Sequence, residues 1–168
     1  MAARDIRKNF NLFVDGRGLA GQVEEFNAPK LTLQVEEFRA GGMDIPIDVT
    51  MGMEKLTCDF SLLAYDKNVL SLWGVTQGSS VPLTVREALV SFDGTVTQVI
   101  HTMRGKIVTI DPGTSKPGEL QPLKFELSLT YYKMQHGDTV VHEIDAENMV
   151  RIINGTDALA LIRNALGI

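Results

Sequence analysis

Apolar and polar residues alternate with a period of two along most of this chain, and that pattern leaves room for little but β-structure. Residues 31–39 place Leu31, Leu33 and Val35 on one face and Thr32, Gln34 and Glu36 on the other. Residues 51–63 repeat the pattern, with Leu56, Cys58, Phe60 and Leu62 opposite Lys55, Thr57, Asp59 and Ser61. Residues 10–14 alternate and run into the turn pair Asp15-Gly16, and 22–26 read as a short return strand. Residues 81–92 and 95–110 flank Asp93-Gly94, the strongest hairpin signal in the chain. The second of these puts Gln98, Thr102, Arg104 and Lys106 on one polar face. Residues 124–134 turn Phe125, Leu127, Leu129 and Tyr131 inward, and 139–145 and 147–153 add two strands.

Two short helices interrupt the strands. Residues 65–74 have Asp66 as N-cap, an apolar stripe of Val69, Leu70, Leu72 and Trp73, and Gly74 as the stop. Residues 157–166 are capped by Thr156 or Asp157 and stopped by Gly167. The pattern predicts a mainly β chain: an antiparallel β-sandwich or barrel, with one internal helix and a short C-terminal helix, as one domain over residues 1–168. A barrel hides its sheet edges by closing, whereas other sheets can hide them against a neighbouring subunit.

Residues 40–50 stand out. The segment holds Gly41, Gly42, Met43, Asp44, Ile45, Pro46 and Ile47, then Val49, and is long for a hairpin connection of about two to five residues. An apolar loop needs something to cover it, so this one is expected to be an assembly element. Residues 114–122, rich in Ser, Lys, Pro and Gly, read as a mobile surface loop.

Groups that could do chemistry are scattered. A single cysteine, Cys58, excludes an internal disulfide, and its place among Leu56, Phe60 and Leu62 marks it as inert packing. His101, His136 and His142 lack metal-ligand spacing and read as structural or solvated. Gly16 to Gly21 spell Gly-x-Gly-x-x-Gly, but no helical pattern follows, so the glycines read as turn residues. The pairs Glu24-Glu25 and Glu36-Glu37 point to opposite faces of a strand and do not converge. Glu37 shares the Leu31/Val35 face and needs a partner or a strand end there, and Trp73 reads as core. No catalytic group, metal or cofactor is expected. A net charge of -5 and no basic run longer than two residues argue against a dedicated nucleic-acid binder. No apolar run reaches the roughly 20 residues of a membrane span. The start Met1-Ala2-Ala3-Arg4 has no apolar stretch behind it, so no secretory signal is expected.

An ordered set of segments resembles the major tail tube proteins of phages with contractile tails, and most closely the tube subunit of R-type pyocins. The set runs from Asn11-Leu12-Phe13-Val14-Asp15-Gly16 and Gly21 through Pro29-Lys30-Leu31-Thr32 to Glu36-Glu37-Phe38-Arg39-Ala40-Gly41-Gly42-Met43. It continues with Leu72-Trp73-Gly74, Arg104-Gly105-Lys106, Ile110-Asp111-Pro112-Gly113 and Thr130-Tyr131-Tyr132. It ends with Glu143-Ile144-Asp145 and Asn148-Met149-Val150. The resemblance implies a β-sandwich subunit that joins sixfold rings, lends strands to a barrel around a lumen, and stacks inside a contractile sheath. The implied partners are the chain itself, the sheath, the baseplate and the tape-measure protein. The implied site of assembly is the bacterial cytoplasm, before release in a phage tail or pyocin particle. Strand alternation, combined with the barrel that the resemblance implies, assigns Thr32, Gln34, Glu36, Thr57, Asp59 and Ser61 to the lumen, with Lys55, Arg86, Arg104 and Lys106 partly neutralising it. Two other readings remain at this stage: a type VI-like secretion tube or DNA-delivering phage tube, and a ligand-binding β-barrel or hydrolase.

Overall fold

A computed structural model describes residues 2–168. In chain order the strands are β1 (Ile6–Val14), β2 (Arg17–Gly18), β3 (Val23–Asn27), β4 (Leu33–Phe38), β5 (Ile47–Met53) and β6 (Thr57–Leu62). Helix α1 (Lys67–Leu70) precedes β7 (Val81–Val90), β8 (Val96–Asp111), β9 (Leu123–His136), β10 (Thr139–Asp145), β11 (Val150–Ile153) and β12 (Thr156–Asp157). Helix α2 (Ala160–Leu166) closes the chain.

All the strand pairs are antiparallel, and the main sheet runs β12-β11-β10-β9-β8-β7-β1-β2. Strand β9 is shared: its first half pairs with β6, which carries β3, and its second half pairs with β10. The sheet does not close into a barrel. It packs as a sandwich, with Phe26 of β3 6.0 Å from His101 of β8, ring centre to ring centre. The long strands β8 and β9 slip register at Arg104/Gly105 and Ile107/Thr109, which is how extra residues bend a strand. Gly105 makes the first of these slips possible. A Cβ there would overlap the Ser128 carbonyl oxygen and lie 2.9 Å from Leu129 Cα.

The alternation read from sequence becomes the core. Leu56, Cys58, Phe60 and Leu62 are buried with Leu83, Val85, Met103, Ile107, Phe125 and Leu127. Phe60 and Phe125, cross-strand partners on β6 and β9, stack with centres 4.8 Å apart. At the Asp93-Gly94 turn the Asp93 carboxylate accepts the Thr95 N–H at 3.0 Å, and Gly94 takes φ +86°.

Several sequence expectations need correction. The strand expected over 51–63 is two strands, β5 and β6, separated by residues 54–56. The loop expected over 40–50 shortens to 39–46, because Ile47, Asp48, Val49 and Thr50 alternate and pair with β4. Helix α1 is one turn: Asp66 caps it through the Asn68 N–H at 2.8 Å, but only Val69 of its stripe is fully buried. Trp73 is 56% exposed rather than core, and its indole N–H donates to the Val108 carbonyl at 3.0 Å. Strand β11 begins only at Val150, because Asp145 accepts the Glu147 and Asn148 N–H groups in a turn. Neither Thr156 nor Asp157 caps α2. Both lie in β12, Leu159 is the N-cap, and Asp157 accepts the Leu159 N–H at 3.0 Å and pairs with Arg163 at 2.6 Å.

Candidate assembly surfaces

Strands β3 and β4 are joined through residues 28–32, and β5 and β6 through residues 54–56. They form one long hairpin, bridged at its joint by the Glu54 N–H on the Thr32 carbonyl at 2.9 Å. Its inner half, β3 and β6, belongs to the main sheet, and its outer half, β4 and β5, is a separate two-stranded arm. Leu31, Leu33, Val35, Phe38, Ile45, Ile47, Val49 and Met51 are all exposed. Pairing puts Phe38 opposite Ile47 and Leu33 opposite Met53, with a slip at Gln34/Val35. These pairs lie on opposite faces, so both faces of the arm carry apolar side chains. A bare two-stranded hairpin has little stability in water, so an arm built this way requires a partner. Glu37, expected to need a partner or a strand end, lies one residue from the end of β4 and faces solvent.

The tip of the arm is organised. Gly42 adopts φ +88°, the Met43 N–H donates to the Ala40 carbonyl at 3.2 Å, and Arg39 Nε donates to the Met43 carbonyl at 3.3 Å. Met43 is half-buried in that turn, whereas Gly41, Asp44 and Pro46 are exposed and Ile45 is 73% exposed. A second uncovered apolar surface lies at the C-terminal helix. Helix α2 buries no side chain, and Leu161, Ile162, Leu166 and Ile168 are exposed.

The residues assigned by alternation to a channel fall on two sheets. Thr32, Gln34 and Glu36 belong to the arm and its root, and Lys55 is an exposed joint residue. Thr57, Asp59, Arg86, Arg104 and Lys106 share the face of the main sheet opposite the core, since Thr57 pairs with Ser128 and Ser128 with Lys106. On that face Arg104 lies 4.4 Å over the Tyr131 ring, and Arg86 5.9 Å from the Phe13 ring centre. Tyr131 was expected to point inward, but the register slip at Arg104/Gly105 turns it outward and puts Tyr132 in the core instead. The Tyr131 hydroxyl donates to Glu143 at 2.9 Å, and burial together with Glu143 pushes its phenol up to about 12. Asp59 accepts from the Asn27 amide at 2.7 Å, and Lys106 donates to Gln77. Ser61 departs from the assignment: it is 4% exposed and its hydroxyl meets Glu24 at 3.4 Å, so it offers no open polar surface.

The core holds one polar chain that sequence reasoning did not assemble. His101 Nδ1 meets the Tyr132 hydroxyl at 3.0 Å and His101 Nε2 meets Glu87 at 3.3 Å; Glu87 in turn pairs with Arg7 at 3.1 Å. Glu87 is 5% and His101 3% exposed. Burial opposes ionisation of Glu87, but the His101 hydrogen bond and the charges of His101 and Arg7 outweigh it and hold the carboxyl below its usual range. The signal was present in the alternation, because Glu87 occupies the inward register of Val81, Leu83 and Val85. Among the described residues no three His, Cys, Asp or Glu side chains gather as a metal site, and no helix is long and apolar enough to cross a membrane.

An antiparallel sandwich carrying a solvent-exposed apolar arm and an uncovered apolar helix defines a class: structural proteins completed by association with further chains. The comparisons with known proteins narrow that class. Residues 4–167 match the family model for the phage tail tube protein FII, and the chain belongs to that family. It is 30% identical over 165 residues to the tail tube protein of Escherichia phage P2, covering 96% of each chain. It is 28% identical to the major tail tube protein of Serratia phage KSP20, covering 84% of this chain and 82% of that one. Among solved structures it resembles a chain of the sixfold-symmetrised baseplate of the anti-feeding prophage, with TM-score 0.47 and 17% identity over 77% of this chain and 91% of that chain.

Proposed function

We propose that this chain is the structural subunit of the inner tube of a contractile injection apparatus, a phage tail or an R-type pyocin, and that it catalyses nothing. The observation that carries the reading is the tail tube family match across residues 4–167. The exposed arm supports it, since a tube subunit must leave surface for its neighbours. Subunits form sixfold rings that stack around a channel, and contraction of a surrounding sheath drives the tube through a cell envelope. The whole chain acts as one tail tube domain, with the segment around 40–50 as its assembly element. Its partners are further copies, the sheath, the baseplate and the tape-measure protein. Assembly takes place in the bacterial cytoplasm, before release in the particle.

The channel is lined from two sheets: Thr32, Gln34 and Glu36 of the arm region, and Thr57 and Asp59 of the main sheet, with Lys55, Arg86, Arg104 and Lys106 among them. A net charge of -5 on every subunit disfavours specific nucleic-acid binding by the tube. A ligand-binding barrel would need an enclosed lumen within one chain, and this sheet stays open. Sedimentation velocity over a concentration series tests the reading. Large assemblies that grow with concentration are the expected result, and a monomer at every concentration would overturn it.

A further inference from the structure

We propose that the free outer edge of β1, residues 6–11, receives the arm of a second copy of this chain as an added strand. The proposal rests on the tube reading above and names the surface that the arm meets.

Strand β1 pairs with β7 along its length, but β2 covers it only at Phe13 and Val14. The outer edge from Ile6 to Asn11 therefore carries no strand among the described residues. An uncovered edge of this length is a template for strand addition. The arm is the matching piece. Strands β4 and β5 pair only with each other, so the arm keeps two free edges, six and seven residues long.

Charge favours this pairing over the two like-with-like ones. The β1 end carries Arg4, Arg7 and Lys8 against Asp5, and the arm carries Glu36, Glu37, Asp44 and Asp48 against Arg39. Arg7 is held by Glu87, but Arg4, Lys8 and the four arm acids have no ion-pair partner among the described residues. Two β1 edges repel each other and so do two arms, whereas an arm on β1 brings opposite charges together. A contact between two different surfaces of one chain is head-to-tail, and such contacts build rings or filaments. The edge is also fixed in advance. Arg7, 63% exposed on its side chain, reaches Glu87 at 3.1 Å, and Glu87 is tied through His101 to Tyr132 in the core.

Charge reversal in complementary pairs tests the pairing. Arg4→Glu with Lys8→Glu gives a chain whose edge and arm are both acidic. Glu36→Lys with Glu37→Lys gives one whose edge and arm are both basic. Each variant alone is expected to lose the large assemblies seen by sedimentation, and an equimolar mixture is expected to restore them, because the arm of each then meets a complementary edge. Wild-type-like assembly by either variant alone, or no recovery on mixing, overturns the proposal. Carbodiimide treatment of the wild-type assemblies, followed by peptide mass spectrometry, decides the matter even if a variant misfolds. Links between Lys8 and Glu36, Glu37 or Asp48 support the pairing. Arm acids linked instead to Lys55, Lys124 or another distant lysine overturn it while leaving the tube reading intact. Failure of the wild-type chain to assemble is the separate result that removes the tube reading.

Discussion

At the scale of single residues, the buried Glu87–His101 pair ties acid stability to one carboxyl. Glu87 has a folded-state pKa below its ordinary value, so its contribution is present above the unfolded value and is lost as pH falls through the folded one. Glu87→Gln is expected to cost about 1–3 kcal/mol at neutral pH and to flatten the loss of stability below about pH 4.5. Urea titrations at pH 7 and pH 4 measure both effects, and an unchanged pH dependence would contradict the assignment. Cys58 makes a second case. Burial, with the Asp59 charge adding to it, pushes its thiol up to about 12, so the native protein should resist alkylation that the unfolded chain accepts. Cys58→Ser should cost roughly 1–3 kcal/mol without changing assembly, because a hydroxyl among Leu56, Phe60 and Leu62 lacks a partner. Gly105→Ala should cost about 2–3 kcal/mol, because its methyl meets backbone that cannot rotate away; thermal denaturation reads the loss. Cys58 was legible from sequence, since its neighbours at i±2 are all apolar. Gly105 was not, since its role depends on a strand that follows more than 15 residues later.

At the scale of elements, the strands that were easiest to read are those that bury one face and wet the other. Strands β7, β8, β9 and β10 lie within a few residues of where alternation places them. The arm misled for a physical reason. Its residues alternate like a half-buried strand, but beyond Met53 at its root the arm leaves its apolar side chains uncovered, so Leu33 and Val35 read as core and are exposed. Sequence pattern records which side chains are covered in the working assembly, not which copy covers them. Trp73 and helix α2 follow the same rule, because apolar stripes imply cover that one subunit does not supply. The outer polar face of the main sheet was only half legible: alternation grouped Thr57, Asp59, Arg104 and Lys106, but missed the break that puts Thr32, Gln34 and Glu36 on another sheet. The arm itself supplies the prediction at this scale. Ile45→Asp with Ile47→Asp should leave the strand signal in circular dichroism native-like, because neither side chain touches the core. The same change should abolish large assemblies, since burial of each such side chain contributes about 1.5–3 kcal/mol at every repeated contact. Normal assembly of this variant would remove the arm from the interface.

At the scale of the whole molecule, the fold makes sense as a part rather than a finished object. The sandwich core is complete and tightly constrained, with Phe60, Phe125 and Leu62 almost wholly excluded from solvent. The arm, helix α2 and the outer edge of β1 are incomplete, and they lie at separate places in the chain. Incomplete surfaces of different kinds favour head-to-tail association over a closed twofold dimer. The most direct measurement of that claim is electron microscopy of the purified wild-type chain, with rotational averaging of end-on views. Hollow rings or tubes with sixfold symmetry and an open central channel are the expected result. Isolated particles of a single subunit, or solid fibres with no channel, would contradict it.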